Sequence, residues 1–212
     1  KFINKASRND ESGRLSYLIN MSSHKQKKGD NEMEKSDPRY QAYIQILKEE
    51  LIPAMGCTEP IALAYAAAVA RKTLGEMPDK VVVEASGSII KNVKSVIVPN
   101  TGHLKGINAA AAAGIVAGDP DKKLEVIATV SQEQIRQMKQ FMEEVPIQVV
   151  HMEDGCTFDI IVTVFSGKSY AKVRIANFHT NIVLIEKNGE VLKSEAVSDD
   201  SEEGLTDRTL LD

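Results

Sequence analysis

The sequence is short of the residues with which proteins usually hold nucleic acids. Its 212 residues include no tryptophan, and aromatic side chains make up only 5% of the total. Platforms on which bases stack are therefore not expected. An excess of positive charge is also missing, because 30 Asp and Glu residues outnumber 26 Lys and Arg residues and leave a net charge of −4. Both deficits argue against a nucleic-acid-binding protein.

Cysteine and long apolar stretches are equally scarce. Cys57 and Cys156 are the only two cysteines and lie far apart in the sequence, which does not fit the disulfide framework of a small secreted protein. The longest apolar run, residues 61–70, is too short to cross a bilayer. Residues 1–20 lack the apolar core of a signal peptide. These absences predict a cytoplasmic protein that does not engage a membrane.

Both ends of the sequence are more polar in composition than the middle. Residues 1–36 are polar and irregular, which predicts a disordered leader or an extension of the folded protein. Residues 194–212 carry seven acidic residues against one arginine, which predicts an acidic tail or a linker toward a further domain. Between them, the turn-forming pair Asp119-Pro120 predicts a boundary that separates residues 37–119 from residues 120–193.

Residues 37–119 are predicted to form an alanine-rich helical segment with short strands. A first helix is expected after Asp37, with an apolar stripe of Tyr40, Tyr43, Ile44, Leu47 and Leu51. A second helix is expected from about residue 60 to 74, with Gly75 as its stop. Val- and Ile-rich strands are predicted over residues 80–86 and 88–98, followed by a loop over residues 100–106 and a third helix over residues 107–117.

Residues 120–193 are predicted to form a small regulatory module in which one helix crosses an antiparallel sheet. Ser131 is expected to cap a helix over residues 132–144. Strands are predicted over residues 124–130, 146–152, 158–166, 169–176 and 181–191. Together the two segments predict the α+β class.

A cysteine at the start of the second predicted helix is the clearest candidate for chemistry. Cys57 stands in "AMGCTEPIALAY" (residues 54–65), where the N–H groups of a helix N-terminus carry about half a positive charge. A thiol placed there is expected to have a lowered pKa and to be partly thiolate. The alternative is that Cys57 is a small buried apolar residue.

The loop "VPNTGHLKG" (residues 98–106) precedes the third predicted helix and is a candidate binding site for a carboxylate or phosphate. Asn100 and Thr101 supply donors, Gly102 supplies bare backbone and Lys105 supplies a positive charge. The same spacing also fits a plain turn capped by an asparagine, and His103 is expected to be a surface residue.

Three stretches in this order resemble the iron–sulfur L-cysteine desulfidases of the L-serine dehydratase alpha-chain superfamily. They are "MGCTEPIALAYA", "KNVKSVIVPNTGHLKGINAAAAAG" and "ANFHTNIVLIEKNGEV", and the resemblance extends over about residues 38–193. It implies a lyase with a [4Fe–4S] cluster held by cysteine thiolates, which converts L-cysteine to sulfide, ammonia and pyruvate. Under this resemblance Cys57 is a cluster ligand, Asn100, Thr101 and Gly102 bind substrate, and Lys105 and His179 act in catalysis.

The cysteine count departs from what that resemblance implies. A cubane cluster with one open iron takes three cysteine ligands, whereas this sequence has two cysteines and Cys156 matches no ligand position of the family. We therefore expect the N-terminal part of such an enzyme, inactive alone, with a complementary C-terminal half or a second copy as partner. L-serine dehydratase activity and a non-catalytic amino-acid-binding module remain alternatives, and His179 has the further alternative of a strand-end histidine bonded to the backbone.

Overall fold

The computed structural model of the protein describes residues 35–50 and 56–197. It contains helices and one mixed sheet, so the predicted α+β class is confirmed. The helices are α1 (Pro38–Glu50), α2 (Thr58–Leu74), α3 (Gly87–Val93), α4 (Gly106–Ala117) and α5 (Gln132–Glu144), with a 3₁₀ segment at Pro120–Glu125. The strands are β1 (Lys80–Ser86), β2 (Ile147–Met152), β3 (Asp159–Ser166), β4 (Ser169–Ala176), β5 (Ile182–Lys187) and β6 (Glu190–Ser194).

Helix α1 begins where the sequence predicted. The carboxylate of Asp37 accepts a hydrogen bond from the backbone N–H of Arg39 at 2.9 Å, as an N-terminal cap does. Tyr43 and Leu47 of the predicted apolar stripe are 42% and 48% exposed. Leu51, the predicted leader up to residue 34 and the predicted tail beyond residue 197 lie outside the described residues.

The six strands form one sheet in the order β2-β1-β3-β4-β5-β6. Strand β1 pairs in parallel with β2 on one side and antiparallel with β3 on the other, and the remaining pairs are antiparallel. A strand from the N-terminal segment therefore lies between two strands of the C-terminal segment. This corrects the predicted boundary near Asp119-Pro120, because both segments build the same sheet, and it corrects the purely antiparallel module to a mixed sheet.

One face of the sheet carries the core. Val81 and Val83 of β1 and Val162 of β3 are fully buried against the helices, as are the core-facing residues of β4. The residues that alternate with them point to the opposite face, as the two-residue period of a strand requires, and most of them are half-buried, although Thr163 of β3 is only 5% exposed. Helix α2 lies on the apolar face, and α4 packs against α2 and reaches the sheet at β2, so residues 58–197 share one hydrophobic core.

Helices α2 and α4 approach each other with almost no side chain between them. A Cβ atom added to Gly114 would lie 2.0 Å from the carbonyl oxygen of Ala64, and one added to Gly118 would lie 2.7 Å from the Cβ of Ala68. The alanine-rich sequence of both helices makes this approach possible, because the alanines and glycines at the contact carry nothing larger than a methyl group.

Three predicted strands need correction. Residues 87–93 form helix α3, because a helix places Ile89 and Val93 one turn apart on the buried side. Residues 124–130 form turns after the 3₁₀ segment, where Asp119 accepts a hydrogen bond from the backbone of Asp121. The strand predicted over residues 181–191 is the hairpin β5–β6, turned at Asn188-Gly189, both with positive φ.

Other predicted helix ends are confirmed. Gly75 ends α2 in the left-handed conformation, with φ of 93°. Ser131 and Gln134 form a reciprocal capping box at the start of α5. Within the described residues, no helix combines the length and the hydrophobicity that crossing a membrane requires.

Candidate functional site

Cys57 occupies the position just before α2 and is exposed. The chain reaches it through Gly56, whose φ of 152° is unfavourable for residues with a side chain. A Cβ on Gly56 would lie 3.2 Å from Cγ of Pro99. The glycine therefore lets the backbone next to Cys57 come close to the loop that contains the predicted substrate-binding residues, and the thiol is not the buried apolar residue of the alternative interpretation.

Glu59, in the first turn of α2, contacts the thiol directly. The Sγ of Cys57 donates a hydrogen bond to Oε2 of Glu59 at 3.2 Å, and Nδ2 of Asn92 on α3 donates to Oε1 at 3.4 Å. Partial burial raises the pKa of Glu59, but the hydrogen bonds from Cys57, its own backbone and Asn92, with the charge of His179, outweigh it and lower the pKa. Glu59 is therefore an ionised acceptor that joins α2 to α3.

The pKa of Cys57 is raised, which corrects the prediction of a lowered value. Although the residue as a whole is exposed, its sulfur is partly shielded, and this partial burial is the larger cause. The second cause is Glu59, which accepts the hydrogen bond of the neutral thiol and repels the thiolate. The helix N-terminus favours the anion, but the nearby carboxylate opposes it.

His179 lies in the connection between β4 and β5, close enough to Glu59 for the charge of that carboxylate to affect its pKa. Its ring centroid is 4.4 Å from that of Phe158, with the two planes tilted by 55°. Burial lowers the pKa of His179, and the charge of Glu59 opposes this by raising it. The imidazole is therefore predominantly neutral at pH 7 and able to accept a proton.

The structure thus brings two predicted site residues, Cys57 and His179, under the influence of a third that the sequence analysis did not single out: Glu59 accepts a hydrogen bond from Cys57, and its charge acts on His179. Glu59 stood inside the Gly-Cys-Thr-Glu-Pro motif, so its position was visible in the sequence. Its role was not, because the role depends on Asn92, which follows 33 residues later. Phe158 was missed for the same reason, since its contact with His179 joins two distant loops.

Two predicted ligand donors of the 98–106 loop, Asn100 and Thr101, use their side chains in hydrogen bonds to backbone carbonyl groups of the protein. Asn100 donates through Nδ2 to the carbonyl oxygens of Ile127 and Ala128, at 3.0 and 3.2 Å. Thr101 is fully buried, and its Oγ1 donates to the carbonyl oxygen of Val98 at 2.7 Å. These contacts are those of a structured turn, and they leave the hydroxyl of Thr101 without access to a ligand.

Gly102 and Lys105 differ from these two residues in exposure. Gly102 is exposed with φ of 66°, and a Cβ there would lie 3.1 Å from Cγ2 of Ile135. Lys105 is exposed immediately before α4 and forms an isolated antiparallel bridge with Ile97. Its ammonium group is the loop's available positive charge.

Cys156 lies in a separate loop before β3. Its backbone N–H donates to Oδ2 of Asp159 at 3.3 Å, and Asp159 is fully buried in an ion pair of 2.6 Å with Arg174. Across residues 35–50 and 56–197, no group of three or more His, Cys, Asp or Glu side chains is placed to hold a metal ion. The donor set seen here therefore does not by itself fit a [4Fe–4S] cluster.

Comparisons with known proteins find close relatives whose names state no activity. The chain is 56% identical over 179 residues to a UPF0597 protein of Desulfitobacterium hafniense (strain Y51), which covers 84% of this chain and 42% of the relative. It is 44% identical over 174 residues to a UPF0597 protein of Treponema denticola, covering 82% of the chain and 40% of the relative.

A third relative, a UPF0597 protein of Lachnoclostridium phytofermentans, is 47% identical over 160 residues, or 76% of this chain and 38% of the relative. No family model matches the chain, and no solved structure matches it. The chain is therefore similar to the UPF0597 proteins and spans about two fifths of the length of the curated relatives it matches.

Proposed function

We propose that this chain is the N-terminal part of a cytoplasmic iron–sulfur-dependent lyase that converts L-cysteine to sulfide, ammonia and pyruvate. The observation that supports the proposal best is the exposed thiol of Cys57 at the N-terminus of α2, with Glu59 at 3.2 Å. The resemblance of the motifs around Cys57, Asn100 and His179 to the L-cysteine desulfidases supplies the reaction.

The ligand set limits what this chain does alone. A cubane cluster with an open iron takes three thiolates, and the chain contains two cysteines, of which only Cys57 is exposed. We therefore place the remaining ligands on polypeptide beyond this chain, either a complementary C-terminal half or a second copy. The relatives are more than twice as long as their match to this chain, which leaves ample sequence for such ligands.

The residues of this chain would supply positioning and proton transfer. Loss of sulfide from L-cysteine requires a base that removes the α-proton as the carbon–sulfur bond breaks. His179 is the candidate base, because its pKa is lowered by burial and it is neutral at pH 7. Glu59 would stabilise the imidazolium that forms, and Lys105 is the candidate partner for the substrate carboxylate. The resulting enamine tautomerises and is hydrolysed to pyruvate and ammonia.

The proposal is tested on a full-length relative rather than on this chain. The UPF0597 protein of Desulfitobacterium hafniense, reconstituted without air from iron and sulfide, should release sulfide and pyruvate from L-cysteine in equal amounts. Serine at the position aligned with Cys57 should abolish product formation, whereas serine at the position aligned with Cys156 should leave most of it. A reconstituted relative that releases no sulfide and no pyruvate from L-cysteine contradicts the lyase proposal.

The same assay separates the alternatives. With L-serine as substrate, a dehydratase forms pyruvate and ammonia without sulfide, and pyruvate from L-serine but not from L-cysteine would favour that activity. The incomplete cysteine set favours a non-catalytic amino-acid-binding module as the second candidate. Calorimetric titration of this chain with either amino acid should show binding without product formation if it is such a module.

A further inference from the structure

The face of the sheet opposite helix α2 is largely half-buried and partly apolar. The register of the strands directs five apolar side chains to it: Val82, Val150, Ile161, Phe165 and Leu184. Among the residues that the structure describes, these five neither belong to the hydrophobic core nor pack against it. The depression across β1, β3 and β4 is shallow and open to solvent, whereas small-molecule sites are concave. The face therefore suits the flat surface of another protein.

The strand register places five side chains of this face in one row across the sheet. Val150 of β2 lies opposite Glu84 of β1, which lies opposite Ile161 of β3. Ile161 lies opposite Arg174 of β4, which lies opposite Leu184 of β5. Across the strands the row is apolar, acidic, apolar, basic and apolar. When the row is reversed, apolar groups meet apolar groups and acidic groups meet basic groups, so the row is its own complement.

A two-fold axis that runs along β3, midway between two facing sheets, produces this reversal. The rotation keeps each row at its level along the strands and lays β1 of one copy over β4 of the other. Glu84 then faces Arg174 of the second copy, and Val150 faces Leu184 of the second copy. Ile161 lies on the axis and faces its own counterpart. Each contact away from the axis occurs twice, as a two-fold interface requires.

The neighbouring row fits the same axis. It consists of Gln148, Val82, Thr163, Lys172 and Glu186, in that order across the strands. The rotation brings the amide of Gln148 to the carboxylate of Glu186 in the second copy. It also brings Val82 to the aliphatic part of Lys172, and Thr163 to its own counterpart. This row therefore adds contacts without placing like charges opposite each other.

The third row and the other possible axis lead to the same choice. Along β3, the axis brings Lys80 to the ring of Tyr170 and places Phe165 on its own counterpart. Nζ of Lys80 already lies 5.3 Å from the ring centroid of Phe165, next to this aromatic pair. An axis across the strands, through the middle row, would instead place Lys172 on Lys172 and Glu186 on Glu186. Such like-charge contacts disfavour that arrangement.

The two charged residues of the first row are able to make the contact between copies. Glu84 is half-buried, and within the described part of the chain it has no hydrogen-bond or ion-pair partner. Arg174 binds the buried carboxylate of Asp159 through Nε and Nη2, at 3.0 and 2.6 Å. The Nη1 hydrogens of the guanidinium are left for a second carboxylate. A half-buried carboxylate gains from such a charge-assisted hydrogen bond.

We propose that two copies of this chain stack through this sheet face about a two-fold axis along β3, with Glu84 of each copy paired to Arg174 of the other. Five strands about 4.8 Å apart and five residues of about 3.4 Å each give a patch of roughly 24 by 17 Å. That area is small for a protein interface, so the dimer is reversible and dissociates in the micromolar range. The inference does not rest on the proposed lyase activity.

Analytical ultracentrifugation of the full 212-residue chain tests the proposal. Between about 1 and 200 µM, the average mass should rise from that of a monomer toward that of a dimer. Ile161→Lys places two positive charges against each other on the axis, and Glu84→Arg places a basic group against Arg174. Each should weaken the dimer by about tenfold or more.

Val191→Lys is the matched control for Ile161→Lys. Val191 lies on the same face but on β6, beyond the strands that stack, and is 55% exposed. The control should therefore dimerise as the original chain does. Thermal unfolding followed by circular dichroism checks that all three variants fold.

Chemical cross-linking tests the position of the axis in a Cys57→Ser, Cys156→Ser background. Facing sheets lie about 10 Å apart, which is too far for a disulfide, so a short bismaleimide is the reagent. Ile161→Cys should give covalent dimers, whereas Val191→Cys should stay monomeric. Val150→Cys and Leu184→Cys should cross-link when the two variants are mixed and not when each is alone. Ile161→Cys is also a milder change than Ile161→Lys and serves if that variant does not fold.

Three results would overturn the proposal. The first is a chain that stays monomeric up to the highest concentration, which would leave this face to polypeptide beyond this chain. The second is a dimer that Ile161→Lys and Glu84→Arg do not weaken although both variants fold. The third is cross-linking of Ile161→Cys that is no greater than that of Val191→Cys. Because the cross-linked chain lacks Cys57, these results are independent of the outcome of the lyase assay.

Discussion

Cys57 and Glu59 show how one carboxylate reverses the usual effect of a helix N-terminus on a thiol. The helix end favours a thiolate, yet partial burial and the hydrogen bond to Glu59 raise the pKa of Cys57. The thiol is therefore held in its protonated form beside the group that accepts its hydrogen bond. A partner that binds the sulfur as a thiolate must displace that proton.

The replacement Glu59→Gln should make Cys57 react faster. It removes the negative charge that opposes the thiolate, so the pKa of Cys57 should fall and alkylation by iodoacetamide at pH 8 should accelerate several-fold. The measurement follows the rate against pH in a Cys156→Ser background, so that only Cys57 reports. Glu76→Gln, an exposed position just after α2, is the control and should leave the rate unchanged.

The same variant has a second readout at His179. Because the charge of Glu59 raises the pKa of His179 against the effect of burial, Glu59→Gln should lower the pKa of His179 further. An NMR titration of the imidazole protons measures this directly. Equal alkylation rates and equal imidazole pKa values with and without Glu59 would contradict the arrangement of these three residues.

Single residues of the site were predictable where their environment is set by neighbours in the sequence, and not where it is set by residues far along the chain. The exposed Cys57 followed from Gly56 and from the start of a helix, both readable over a few residues. The direction of its pKa shift did not follow, because it depends on which way the side chain of Glu59 turns. Asn100 and Thr101 were predicted as ligand donors, but their partners are backbone carbonyls of Ile127 and Val98 that the sequence could not assign.

At the scale of elements, the contact between α2 and α4 depends on the absence of side chains. Gly114 sits where a methyl group would fall 2.0 Å from the carbonyl oxygen of Ala64. The contact fixes how closely the helix that follows Cys57 packs against the helix that follows Lys105. The two loops of the candidate site are therefore positioned through this glycine.

Gly114→Ala should destabilise the protein by about 1–3 kcal/mol or more, because the added methyl group forces two helix backbones apart. Helix propensity alone predicts the opposite sign, since Ala is favoured over Gly in a helix by about 1 kcal/mol. Asn108→Ala, at an exposed position of the same helix, is the control and should be neutral or slightly stabilising. Urea denaturation measures both, and a Gly114→Ala variant as stable as the original would contradict the close packing.

The elements predicted best were those with signals at both ends. Helix α2 has Gly75 as its stop, and α5 has the Ser131 capping box, and both were placed to within two residues. Residues 88–98 were predicted as a strand from their Val and Ile content, but tertiary burial of Ile89 and Val93 selects a helix instead. The Asn188-Gly189 turn was a readable hairpin signal inside the last predicted strand.

At the scale of the whole molecule, β1 joins the two predicted segments. It lies between β2 and β3, with seven residues from a part of the sequence that precedes both by more than sixty positions. The pairing of strands so far apart in the sequence produces no pattern in the residues near either strand. The sequence therefore predicted two modules where the structure has one sheet. The helices contributed by the N-terminal segment cover the same sheet, which explains why the core is shared.

Residues 120–197 expressed alone should therefore not fold cooperatively. Without β1, strand β2 loses its pairing partner and β3 loses one of two, and the apolar face loses α2 and α4. Residues 56–197 contain all of these elements and should show a cooperative thermal transition by circular dichroism. A sharp transition for residues 120–197 would instead support the boundary predicted from Asp119-Pro120.

The proposed chemistry also belongs to the whole molecule, because the chain presents one exposed thiol and the cluster takes three thiolates. The site at the α2 N-terminus would then be one wall of a centre that polypeptide beyond this chain completes. The most direct measurement is the iron and acid-labile sulfide content of the Desulfitobacterium hafniense relative after anaerobic reconstitution. We expect about four irons per polypeptide, lost when serine replaces the residue aligned with Cys57 and retained when serine replaces the residue aligned with Cys156. A relative that takes up no iron, or one that keeps its full iron content after the first replacement, would contradict the assignment of Cys57.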